Sequence, residues 1–155
     1  MIEVRRSLAD DSVEITRIVS LATQILRKTY CLKNVSESGS AKPQEKLASL
    51  VAIVNAKIVG VVEYKQDEDH IYFQGLAVDP SYHRQGIARK IIETLESMAS
   101  ESGRKKLKTA TIEETGNVLV FERMGFRVAS RKPAERFQSK DHAEVHIASM
   151  EKDIT

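Results

Sequence analysis

The 155-residue sequence contains a single cysteine, Cys31. One thiol cannot close an internal disulfide, which fits a reducing compartment. Charge of either sign is scarcely in excess, and the formal net charge of +2 gives no grip on nucleic acid. No stretch approaches the ~20 apolar residues of a membrane span. The segment Met1 to Arg6 carries charges inside its apolar run, so no signal peptide is expected there. Neither G-x-x-x-x-G-K-[ST] nor G-x-G-x-x-G occurs, which removes the two commonest phosphate-binding loops. Internal repeats, low-complexity tracts and domain linkers are also missing. What remains is ordinary: 41% hydrophobic and 30% charged residues, enough for one domain with a sizeable core. The expectation is a soluble, cytoplasmic domain over residues 1–155, with no nucleic-acid, membrane or metal partner.

The residues from Leu76 to Lys90 organise the rest. Ile71, Phe73, Leu76 and Val78 suit a buried strand over 70–78. Asp79-Pro80-Ser81 signals a chain reversal, because proline fixes φ and the polar side chains bond nearby backbone. After Gly86 the period changes: Ile87, Ile91, Leu95 and Met98 recur at helical spacing. A helix therefore starts here, with N–H groups that have no partner inside it and the positive end of its dipole. Gly86 and Ala88 are small, so an anion can approach the backbone. Arg84, Arg89 and Lys90 add positive charge. Residues 83–88 thus read as a pyrophosphate cradle.

Taken in order, Ile2 to Leu8 predicts a first strand and Ile15, Ile18, Val19, Ala22, Ile25 and Leu26 a helix running to about Tyr30. Residues 31–46 fit either a short second helix or a mobile loop. Strands follow at 47–54, 58–64 and 70–78, joined by short turns and therefore antiparallel. They are apolar at both parities, which predicts a sheet covered on both faces. Gly103 closes the cradle helix. The next strand, 107–112, arrives by a crossover and should run parallel to 70–78. A polar loop, a short helix over 118–124 and a strand over 126–130 come next. Residues 131–143 read as an exposed connection, and 144–152 as the last strand.

Two stretches carry a family resemblance. Val78-Asp-Pro-Ser-Tyr-His-Arg-Gln-Gly-Ile-Ala88 is similar to the V-x-P-x-x-[RQ]-x-x-G-x-[GA] motif of the GNAT N-acetyltransferase superfamily. Phe121-Glu-Arg-Met-Gly-Phe126 resembles that family's Y-E-K-L-G-F ending, at the matching distance. The resemblance implies an α/β (α+β) fold: a mixed, mostly antiparallel central sheet of about seven strands with helices on both faces. It implies acetyl-CoA as co-substrate. Pantetheine would pair with the backbone of Leu76, Ala77 and Val78 like an added strand, in a gap where the sheet splays open. The diphosphate would sit on the amides of Arg84, Gln85, Gly86, Ile87 and Ala88. Asn117 would touch the coenzyme from the other side, or cap the short helix, or both. Similar proteins often form a homodimer.

The sequence departs from that pattern twice. His83 replaces the usual arginine or glutamine; it reads as a surface histidine or a phosphate contact. Phe121 replaces a tyrosine that many members use to protonate the departing thiolate, and it reads as a core residue beside the coenzyme. A thiol of pKa about 8.5 leaves as thiolate at neutral pH at a cost of ~2 kcal/mol, so transfer without that acid is feasible.

The implied reaction is direct acetyl transfer to an amine of a small molecule or protein. An alkyl ammonium of pKa about 10.4 must lose its proton first, at ~4–5 kcal/mol. Glu63, a carboxylate interrupting an apolar strand, is the first candidate base; its alternative is an exposed strand-edge residue. Tyr72, Gln74, Glu113 and Glu114 rank behind it. A backbone N–H near Leu76 or Val78 would polarise the thioester oxygen. A non-catalytic CoA-binding module is the competing function, kept open by Phe121.

Overall fold

The structure is a computed structural model that describes residues 1–33, 47–139 and 141–154. Its eight strands are β1 (Glu3–Arg6), β2 (Tyr30–Leu32), β3 (Ala48–Val54), β4 (Lys57–Gln66), β5 (His70–Val78), β6 (Lys106–Ile112), β7 (Arg127–Ser139) and β8 (Glu144–Asp153). Among the described residues three α-helices accompany them: α1 (Ser12–Leu26), α2 (Ile87–Glu101) and α3 (Asn117–Arg123). The strands form one sheet in the order β1-β3-β4-β5-β6-β8-β7-β2. Among the described residues only β5 and β6 run parallel; every other pair is antiparallel. This is the mixed α/β architecture expected, with one strand more than the seven anticipated.

The helical stripe of α2 sets the larger core. Ile87, Ile91 and Leu95 recur every fourth residue, and all three are buried with Phe73, Val62 and Leu107 of the sheet. Each such side chain stabilises the fold by roughly 1.5–3 kcal/mol relative to exposure. On the opposite face Ile18 of α1 packs on Val51, Val61 and Ala77. Successive strand residues alternate between faces, so helices on both sides require apolar residues at both parities. That is the pattern seen in β4, where Ile58 to Val62 are all buried.

Three boundaries depart from the sequence reading. The first helix stops at Leu26 rather than near Tyr30. Tyr30 instead enters β2, where its ring meets Phe137 edge-on at 5.1 Å and the strand pairs with β7. This short strand is the one not anticipated. Residues 131–139 are not an exposed connection but the second half of β7. Their charges point outward while Ala134 is buried, and Pro133 sits at a break in register, where a missing N–H costs no ladder bond. The anticipated second helix or loop at 31–46 falls mostly on residues 34–46, outside the described residues.

Candidate active site

The site begins at a defect in β5. Val61 pairs with Ala77 and Glu63 with Gln74, so Val62 faces two residues, Gly75 and Leu76. Gly75 takes φ +63°, the left-handed conformation that opens one type of β-bulge. A bulge increases local twist, and β5 leaves its parallel neighbour. The β5–β6 ladder covers only His70 to Tyr72 against Lys106 to Lys108. Where it ends, Thr109 Oγ1 donates to the Phe73 carbonyl at 2.8 Å, in a buried position. Beyond that bond the two strands diverge, and β5 presents the edge of Gln74 to Val78 to a gap.

Past Val78 the chain turns sharply. Asp79, only 3% exposed, accepts the Ser81 amide at 2.9 Å and the Arg17 guanidinium of α1 at 3.0 Å. The Ser81 N–H, reinforced by Arg17, holds its carboxyl below the usual range against the opposing effect of burial. The turn is thereby tied to the helix on the far face of the sheet. Arg84 at φ +63° and Gly86 at φ +80° then swing the backbone into α2. No side chain caps α2, so the amides of its first turn stay free. A Cβ added at Gly86 would meet nothing within 4 Å. His83 is exposed, and its Nε2 lies 3.1 Å from the Val78 carbonyl, a link from the loop back to the strand end.

A cleft of about 540 Å³ occupies this corner. Leu76 and Val78 enter it from β5, and His83, Arg84 and Gly86 from the loop. Ile87 and Ala88 of α2, and Asn117 and Phe121 of α3, complete that part of the lining. Nine of the eleven expected coenzyme residues thus meet in one cleft. Of the other two, Ala77 points to the opposite face, against Ile18, and Gln85 is exposed outside the lining. Asn117 is the first residue of α3, whose N-cap is Gly116, so its capping role is ruled out. Phe121 is buried in a trio of rings, 6.0 Å from Phe73 and 5.5 Å from Phe126, and brings no hydroxyl.

A second cavity, about 380 Å³, opens on the other side of the gap. It shares Leu76, Asn117 and Phe121 with the first, so the two adjoin at these residues. Its walls include Tyr30, Tyr72, Ile112, Phe137 and Ile147. Burial pushes the Tyr72 hydroxyl above its ordinary pKa, so it stays protonated at neutral pH. A third cavity, also about 380 Å³, lies between α1 and the sheet and contains Glu63. It meets the second at Leu26, Gly75 and Leu76. The Glu63 carboxylate hangs over the bulge: a Cβ on Gly75 would lie 3.5 Å from its Oε1. Glu113 and Glu114 are placed elsewhere. Glu113 pairs with Arg131, while Glu114 accepts both the amide of His146 and its ring Nδ1. These bonds fix the turn that leads into Asn117.

Sequence reasoning missed Gly75, Thr109 and the Arg17–Asp79 tie. Gly75 had a usable signal, since an isolated glycine inside a strand pattern marks a bulge. Thr109 and Arg17 had none, because each acts on a residue more than thirty positions away.

The comparisons with known proteins bear on the family and the fold. A family model described as an acetyltransferase (GNAT) domain matches residues 20–152. No curated protein sequence matches. Among solved structures, the ribosomal-protein-S18-alanine N-acetyltransferase of Escherichia coli superposes with a TM-score of 0.69 at 18% identity, covering 100% of this chain and 95% of that one. A GCN5-related N-acetyltransferase from Kribbella flavida gives 0.71 at 17% identity, with 98% and 97% covered. Smu.2055 of Streptococcus mutans UA159 gives 0.72 at 20% identity, with 99% of each chain covered. At these identities the likeness speaks for the fold.

Proposed function

The chain belongs to the GNAT acetyltransferase family, and from that premise we propose that it moves an acetyl group from acetyl-CoA directly to an amine. The observation that carries the proposal is one junction. The uncapped N-terminus of α2 opens into the same cleft as the unpaired edge of β5. Free amides, a positive dipole end and Arg84 suit a diphosphate. An unladdered strand edge suits an extended chain of amides such as pantetheine. Acetyl-CoA supplies the activated acyl group as a thioester.

The chain's own residues do the rest. Leu76 and Val78 orient the extended arm by main-chain bonds, and a backbone N–H beside the bulge faces the acyl oxygen. Glu63, over Gly75, takes the proton from the incoming ammonium. Phe121 excludes water from one wall of the cleft. Two tests separate this from a non-catalytic CoA-binding module. Purified protein is mixed with acetyl-CoA and a panel of amines, and free thiol is followed; tight binding with no thiol release from any amine favours the binding module. In Glu63→Gln the rate falls about 10²–10⁴-fold at neutral pH and recovers as pH rises toward the amine pKa. An unchanged pH–rate profile removes Glu63 from the mechanism.

A further inference from the structure

The acyl-transfer reading leaves the acceptor open, and the side chains around the second and third cavities narrow it. The cavity bounded by Tyr30 and Phe137 has no charged residue in its lining. The adjoining cavity under α1 has one, Glu63. Among the described residues the acceptor side therefore offers one negative charge, placed at the bulge.

A cation stands on the rim at Tyr30. The Arg27 guanidinium lies over the Tyr30 ring at 5.4 Å, while the Lys65 ammonium, 6.0 Å from the Tyr72 ring centroid, is paired with Asp67 at 4.0 Å. Both rings line the uncharged cavity. A second ammonium entering there would find no carboxylate in the described lining and would approach the Arg27 guanidinium. An unpaired charge in a mostly apolar cavity is costly, and like charges add to the cost. At roughly 30 Å³ per water, 380 Å³ corresponds to about a dozen waters. That is the small end of ligand sites, which run from ~300 to ~1,000 Å³.

We infer that the acceptor is a small primary amine on an apolar or aromatic body, preferred over polyamines, aminoglycosides and lysine-rich tails. The ammonium sits at Glu63. The body fills the pocket walled by Ile112, Ile147 and the edge-on pair Tyr30–Phe137. This rests on the acetyl-transfer reading, and the test keeps the two apart.

Phenethylamine, spermidine and a short lysine-rich peptide are compared as acceptors by thiol release, while calorimetry measures acetyl-CoA binding to the same full chain. The expected result is a kcat/KM for phenethylamine at least a hundredfold above the other two. Phe137→Ala then raises the KM for phenethylamine about tenfold and leaves acetyl-CoA affinity unchanged. Phe137→Leu, which keeps most of the volume, gives a smaller rise in the same direction. Preference for spermidine or the peptide, with acetyl-CoA bound, overturns the inference and spares the acetyl-transfer reading. Bound acetyl-CoA with no phenethylamine turnover also overturns it. Absence of acetyl-CoA binding brings down both.

Discussion

Replacing Gly60 by alanine puts a methyl group where β4 meets the first turns of α2. The new Cβ would lie 3.0 Å from Ile87 Cγ2, 3.1 Å from Ile91 Cδ1 and 3.4 Å from Ala52 Cβ. Carbon pairs rest at about 3.5–4.0 Å, so the helix must lift by roughly half an ångström or two isoleucines must leave their rotamers. Ile87 branches at Cβ and cannot swing freely. Overpacking of this kind costs about 1–3 kcal/mol, and alanine returns about 0.4–1 kcal/mol by restricting the unfolded chain. The balance is a loss of about 1–2 kcal/mol, or roughly 2–8 °C in Tm for a chain of this size. Because Ile87 opens α2, the same displacement moves the amides of the cleft, and acetyl-CoA affinity falls too. Urea unfolding and calorimetry measure the two effects. Ile91→Val removes the Cδ1 atom and alone costs about 0.5–1.5 kcal/mol. Combined with Gly60→Ala it relieves one clash, so the double variant should be more stable than the sum by at least ~0.5 kcal/mol. A neutral or stabilising Gly60→Ala, or strict additivity, refutes the packing argument.

Three further outcomes follow from the site. Gly86→Glu costs the fold about 1–2 kcal/mol, because φ is +80° while the space around it is open; acetyl-CoA affinity should fall at least tenfold by calorimetry, far beyond what that strain explains. Thr109→Val keeps its shape but deprives the Phe73 carbonyl of the buried hydroxyl, a loss of about 1–3 kcal/mol in denaturant unfolding. Asp79 has a folded-state pKa below its unfolded value of about 3.9, so its contribution is complete above that value and is lost as pH falls through the folded pKa. Asp79→Asn keeps an acceptor for the Ser81 amide without the charge. Its stability, followed by urea unfolding from about pH 6 to pH 3, should therefore decline less steeply with acid than that of the parent.

Local chemistry made much of the fold legible. The stripe Ile87, Ile91, Leu95 fixed α2, and Gly103, at φ +73°, closes it where the sequence suggested. The antiparallel run β3–β4–β5 follows from turns too short for any crossover. The misread elements were those whose stability comes from partners distant in the chain. Tyr30 looks like the last turn of a helix until Phe137 is beside it. Arg131 to Arg136 looks like a loop because it is polar and holds Pro133. In the structure it is a strand that shows its polar side to solvent and breaks register at the proline.

The candidate site divides along the same line. Its loop and helix start were readable because Pro80, Gly86 and the change of period act within a few residues of themselves. The gap beside the loop was not readable, because a strand does not announce where it will lose its neighbour. That depends on how much twist one left-handed residue, Gly75, adds to β5, and on the hydroxyl of Thr109 closing the last buried carbonyl where the ladder stops. Glu63, paired with Gln74 next to the bulge, holds its carboxylate beside Gly75. A single backbone irregularity thus lies both at the gap proposed to take the extended coenzyme arm and beside the proposed base. If Gly75 became alanine, φ +63° would be strained, and relaxation toward a regular strand would narrow the gap and shift the Glu63 carboxylate at once. Acceptor turnover and coenzyme affinity should therefore fail together at this position, whereas at Phe137 they should separate.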